Sequence, residues 1–273
     1  MRLHLWFAPV VLAAPLCCQP VVFQDVQARY NRSAKDRRLV ETSAVLTLDD
    51  SAGKLIVKSA QQPLDIKYED VQEVILDQRY SWCYLECRRP EGGVRPYMLR
   101  IGEDTWDKVA AKMKEAFGGR VSVYQTRRGE KIETAKLKDI DSSHSVTVDR
   151  TNRPMPEVKP DKALVVSICL PVAARYAGKG NQVKLHANDQ VIAVNKMGTY
   201  SFAHLDPGEY LMVSQTENAD SMKLQLEAGK EYYFLQDVYM GAWKSRTGLS
   251  MHARKIGLYE LTGAYYSNWK RNK

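Results

Sequence analysis

The chain has 273 residues, 44% of them hydrophobic and 26% charged, with 16 Gly, 11 Pro and 5 Cys. That length suits two domains of ~100 residues plus connecting chain, and the composition excludes a collagen-like fibre, a disulfide miniprotein and a disordered tail. The formal net charge of +8 selects no partner by itself, and only the N-terminal stretch is apolar enough to enter a bilayer, which excludes a multispan channel.

The first predicted element is a leader over residues 1–18. Arg2 precedes an apolar run from Leu5 to Cys18, a length of about 14 residues that is short for a membrane span and right for an export signal. Cleavage is expected after Ala13 or near Cys18, which places the mature protein in the periplasm, at the envelope or outside the cell. Cys17 and Cys18 raise a lipid-anchored variant, but Pro15 and Leu16 occupy positions where such a signal needs small residues. Arg29, Arg32, Lys35, Arg37 and Arg38 follow as a solvated entry segment that could touch an anionic surface.

Residues 24–124 read as a first domain. AVLTL, the turn DDSAG and KLIVKS form a hairpin in which Gly53 supplies a positive φ. PLDIKY, VILD, YSWCYLE and YMLRI continue a sheet, the last two joined through RRPEGGVRP. Cys83 and Cys87 on one strand stand ~13 Å apart, too far to bond, and are expected as buried free thiols with Cys169. In EDTWDKVAAKMKEAFGG, Trp106, Val109, Ala110, Met113 and Phe117 make one helical stripe. Asp104 or Thr105 is expected to cap it and Gly118–Gly119 to end it. Antiparallel strands closed by one amphipathic helix resemble the pleckstrin-homology and GRAM-like superfold, with IKYEDVQEVIL similar to its middle strands. The resemblance implies a small barrel plugged by a helix, with binding left to loops. Lys54, Lys58, Lys67, Arg88, Arg89 and Arg95 then suggest headgroup recognition, beside the plainer reading of a solvated mixed-charge surface.

Residues 125–162 are polar and carry Pro154, Pro156 and Pro160, so they read as a linker in which SVTV adds at most one edge strand. His144 is expected at the surface. From Ala163 to Gly263, short apolar strands alternate with Gly, Pro, Asn and Asp turns, the pattern of an all-β sandwich. Residues 264–273 read as a basic aromatic tail. The ordered set Asn188–Asp189, Gly198 with Tyr200, Asp206–Pro207–Gly208, Ala228–Gly229–Lys230, Tyr232–Tyr233, Met240–Gly241 and LYELTG resembles the bacterial domain-of-unknown-function family 2846. The one departure is the missing glycine at Asn188–Asp189. The resemblance implies an exported or envelope-associated sandwich, transthyretin-like or PEGA-like, with no catalytic residues to carry over.

No G-x-S-x-G, H-E-x-x-H, Walker loop or dinucleotide fingerprint occurs. His186, His204 and His252 fall in the second domain without metal-ligand spacing, and Glu69, Asp70 and Glu73 fit a solvated turn. Tyr232 and Phe234 are expected to face the core and Tyr233 to face outward. Tyr239, Trp243, Lys244 and Arg246, around the loop MGAWKSRTG, are the candidate binding residues, because an exposed aromatic beside cations can stack on a sugar or a partner. No cofactor or metal is expected. The expected partners are an envelope protein, a lipid headgroup or a glycan; interspersed Asp and Glu disfavour nucleic acid. The leading expectation is a non-enzymatic binding or scaffold module at the cell envelope. The alternatives are a lipid- or carbohydrate-binding protein with a small defined ligand, and a cryptic hydrolase.

Overall fold

A computed structural model of the chain describes residues 19–31, 39–61, 63–132, 143–170, 182–216, 218–240 and 245–272. These residues are mainly β, in three sheets with two α-helices. The first sheet holds β1 (Val21–Asn31), β2 (Leu39–Asp49), β3 (Lys54–Ser59), β4 (Leu64–Lys67), β5 (Val71–Asp77), β6 (Trp82–Arg88), β7 (Val94–Ile101) and β8 (Val121–Tyr124). Its order is β4-β3-β2-β1-β7-β6-β5-β8. Helix α1 (Glu103–Phe117) returns the chain to β8, which lies parallel to β5.

Alternation along these strands separates two faces. Cys83, Leu85 and Cys87 of β6 and Tyr97, Leu99 and Ile101 of β7 point inward and pack on Trp106, Val109, Met113 and Phe117 of α1. The helix therefore buries the stripe that its periodicity predicts. Gly118, at φ +51°, ends it, and its N–H donates to the Lys114 carbonyl. The expected side-chain cap does not form: Gly102 holds the N-cap position, and the Thr105 hydroxyl donates to its carbonyl at 3.1 Å.

The remaining strands are β9 (Arg127–Arg128), β10 (Glu130–Ile132), β11 (His144–Asp149), β12 (Ala163–Cys169), β13 (Val183–Ala187), β14 (Gln190–Asn195), β15 (Thr199–Leu205), β16 (Gly208–Gln215), β17 (Ala219–Leu226), β18 (Glu231–Met240), β19 (Ser245–His252) and β20 (Tyr265–Arg271). A seven-stranded sheet runs β11-β20-β15-β12-β18-β19-β9, and a five-stranded sheet runs β10-β17-β16-β13-β14. Ala163, Val165, Leu185, Met212, Leu226 and Phe234 fill the space between these two sheets. Asn188 adopts φ +53° in the β13–β14 turn, a left-handed conformation that asparagine tolerates. Its Oδ1 accepts the Leu211 N–H at 2.9 Å, so the turn closes without a glycine.

Several expectations change. The stretch read as a linker supplies β9, β10 and β11, of which β11 is the edge strand foreseen in SVTV. The stretch read as a tail forms β20, between β11 and β15. RKIGLYELT is a helix, α2 (Arg254–Thr262), because Ile256, Tyr259 and Leu261 all meet apolar partners from that geometry. His144 is buried, its ring edge-on to Trp269 at 5.5 Å.

Tyr233 does not face solvent; it is as buried as Phe234. The reason is that the seven-stranded sheet is covered on both sides. Leu164, Val166, Ile168, Tyr200, Tyr233 and Leu235 pack away from the five-stranded sheet, against α2 and against Ile75, Trp82, Tyr84 and Met98 from the outer face of the first sheet. All seven residues of β12 are buried, the continuous apolar run expected of a strand covered on both faces.

Candidate functional site: a basic cleft at the seam between the sheets

The position of α2 on the first sheet is fixed by polar contacts around the apolar seam. Arg29 projects from the outer face of β1, its guanidinium 4.9 Å above the Trp82 ring. It is ion-paired with Glu260 of α2 and, at 3.3 Å, with Glu41. The Tyr259 hydroxyl donates to the Arg29 carbonyl at 2.7 Å, and Lys255 pairs with Glu73 and Glu86. Arg29 is therefore a buried seam residue rather than part of a solvated entry segment. Arg32, Lys35, Arg37 and Arg38 lie outside the described residues.

One end of this seam opens into a cleft of about 320 Å³ lined by Tyr30, Gln61, Arg89, Arg95, Pro96, Tyr259 and Thr262. The β6–β7 hairpin aims its arginines there. Gly92 and Gly93, at φ +95° and +79°, close the turn, and the Arg89 N–H donates to Gly93 O at 3.0 Å. Arg95 stands opposite Cys87, so Arg89, two residues further on, is its diagonal neighbour on the same face, at a Cβ separation of about 7–8 Å. Arg88 stands opposite Val94 and takes the other face. The Arg95 guanidinium lies 5.1 Å from the Tyr97 ring centre, an arrangement that restricts its swing. Tyr259 and Thr262 of α2 complete the lining, each held by a hydrogen bond of its own. Among the described residues, the lining contains no carboxylate. Glu91 sits outside it, 3.8 Å from Arg89 in an exposed pair that is worth little in water.

A second cleft, about 490 Å³, lies on the other face of the hairpin. Its cations are already committed. Lys255 is held between Glu73 and Glu86, and the Arg120 guanidinium donates to the carbonyls of Tyr68 and Val71 at 2.6 and 2.7 Å. Of these two clefts, the first combines two arginines with a lining that holds no acidic group among the described residues.

The seam also gathers a catalytic-looking group that sequence spacing does not reveal. Ser250 Oγ is 2.9 Å from His252 Nε2, and His252 Nδ1 lies 3.6 Å from Asp77 and 3.2 Å from the Thr126 hydroxyl. The Tyr80 hydroxyl donates to Asp237 at 3.3 Å beside them. Asp77, Thr126, Ser250 and His252 are all buried, and neither of the two clefts includes them. A nucleophile must reach a substrate carbonyl, so this arrangement works as interior hydrogen bonding that ties β5 and the β8–β9 connection to β19. The three thiols are equally enclosed. Burial pushes Cys83 and Cys87 up to about 12 and Cys169 higher still, which leaves them protonated and unreactive.

Of the residues singled out from sequence for binding, Trp243, Lys244 and the side chain of Tyr239 lie outside the described residues. Arg246 is exposed, and its backbone pairs with Tyr239 across β18 and β19. Lys54 and Lys67 pair with Asp65 and Glu69 at 3.2 and 3.3 Å on the surface. His186, His204 and His252 are not brought together, and among the described residues no group of three His, Cys, Asp or Glu side chains could hold a metal ion. No described helix is long and apolar enough to cross a membrane. Arg89 and Arg95 were visible as part of a basic run. The α2 wall was not, because a helix more than 150 residues away along the chain leaves no local mark on the hairpin.

No family model matches the chain, and no curated protein matches it significantly. Among solved structures it is similar to a chain of the Spt16D–Pob3N heterodimer, with 8% identity and a TM-score of 0.28. That alignment covers 39% of this chain and 55% of the other, so the chain spans about half the length of the protein it matches.

Proposed function

We propose that this chain is a non-enzymatic binding module of the cell envelope that holds an anionic ligand in the cleft between the β6–β7 hairpin and α2. The observation that carries this reading is the presence of Arg89 and Arg95, diagonal neighbours on the hairpin, in one cleft whose described lining holds no carboxylate. Guanidinium groups bind oxyanions through paired N–H donors, which favours them for phosphate and carboxylate recognition. The first sheet closed by α1 supports a PH/GRAM-like domain, and the two facing sheets support a family-2846-like, transthyretin- or PEGA-like domain. Export through residues 1–18 belongs to the same reading. Burial of Ser250 and of the three thiols argues against the hydrolase alternative.

The test is thermal unfolding in the presence of small anions. Millimolar anionic sugars should raise the melting temperature of the wild type and not of an Arg89→Ala/Arg95→Ala variant, with the neutral sugars inert in both. Equal shifts in the two proteins would remove the cleft from the binding role.

A further inference from the structure

The geometry points to a phosphate monoester, carried on a sugar-sized body, as the ligand class of this cleft. This rests on the anion-binding reading and narrows it. Arg89 and Arg95 are diagonal neighbours on one face of the hairpin, and both line the cleft. A carboxylate offers two oxygens in one plane, which one guanidinium can saturate in a bidentate pair. A phosphate monoester offers three oxygens in a tetrahedral array and a charge near −2 at neutral pH, matching the two cations of the lining.

The rest of the lining fits what a phosphate would carry. Tyr30 and Pro96 add apolar surface, and Gln61 adds an uncharged polar group. Such a mixture suits a polyhydroxylated ring, which stacks on an aromatic face and hydrogen-bonds around its rim. The volume of about 320 Å³ stands at the small end of ligand sites, on the scale of a phosphorylated monosaccharide. A phosphomonoester can reach the cleft as a free sugar phosphate or as the exposed phosphate of a lipid headgroup. The hairpin tip favours neither source, since exposed Val94 lies beside exposed Arg88.

The experiment is isothermal titration calorimetry of the full chain with glucose 6-phosphate, glucuronate and glucose, followed by sedimentation with phosphatidylcholine vesicles containing phosphatidic acid. Glucose 6-phosphate should bind at least tenfold more tightly than glucuronate, with glucose undetectable. Arg89→Ala and Arg95→Ala should each weaken glucose 6-phosphate at least tenfold. Arg88→Ala, which removes the same charge from the opposite face of the hairpin, should change it less than twofold. Vesicle binding that glucose 6-phosphate displaces assigns the headgroup source; binding of the soluble sugar without vesicle binding assigns the free one. Equal affinity for glucuronate and glucose 6-phosphate overturns the phosphate assignment and leaves the anion cleft standing. Silence toward both anions overturns the cleft reading as well. An Arg88→Ala loss as large as that of Arg89→Ala shows diffuse surface charge in place of a site.

Discussion

His186 sits fully buried at a register shift in β13. Burial, with Lys184 adding to it, pushes its pKa down to about 4, against ~6.5 for an unperturbed histidine. Between those two values the unfolded chain binds the proton and the folded chain does not. The contribution of neutral His186 is therefore complete above pH ~6.5 and is lost as pH falls toward 4, at about 1.4 kcal/mol per unit and ~3 kcal/mol in all. Urea denaturation at pH 7.5 and pH 5 should show a larger loss for the wild type than for His186→Leu; parallel losses would mean that other groups set the acid sensitivity. Residue-scale features of this kind were partly legible in the sequence. Gly53 takes the positive φ that its hairpin needed, and three cysteines without bridging geometry are three buried free thiols. The environments of His144, His186 and His252 were not legible, because each is set by residues from distant strands.

At the scale of elements, α2 shows where periodicity misleads. Its residues continue an alternating apolar pattern out of β19, yet they coil because Ile256, Tyr259 and Leu261 then pack into the apolar seam between two sheets. The middle of the helix carries Gly257, normally a cost of ~1 kcal/mol relative to alanine. Its function is close approach: a Cβ there would lie 2.3 Å from Cγ of Tyr233, a ring itself fully packed in the seam. Gly257→Ala should therefore destabilise the protein by ~1–3 kcal/mol through overpacking, reversing the usual sign of a glycine-to-alanine change within a helix. Chemical denaturation reads the sign directly, and a stabilised variant would mean that α2 can move off the sheet. The same packing explains why Tyr233 was misplaced from sequence. Strict alternation predicts one wet face only when a sheet has one, and β18 has none. The β6–β7 hairpin was read correctly as a basic turn, but its binding partner, the α2 wall, required the tertiary fold.

For the whole molecule, the decisive feature is that the two parts separated by composition share one core. Trp82, Tyr84 and Met98 from the first sheet pack in a single apolar cluster with Val166, Tyr233, Leu235 and Ile256. Arg29 and Glu260 form their ion pair across that boundary, exposed by only 7% and 1%. Domains joined by a polar linker unfold separately when little area lies between them. Here opening the seam would expose a buried aromatic cluster and break the Arg29–Glu260 pair. Calorimetry should accordingly give one transition for the chain. Glu260→Ala should lower that transition as a unit, since removing one partner of a buried pair costs ~3–5 kcal/mol, on the order of 10 °C for a protein of this size. The joint replacement Arg29→Met/Glu260→Leu, which leaves no uncompensated charge, should recover most of the loss. Two resolved transitions in the wild type, with Glu260→Ala moving only one of them, would show that the seam is too weak to couple the sheets. The cleft lined by Arg89, Arg95 and Tyr259, which draws on both sides of the seam, would then have no fixed shape.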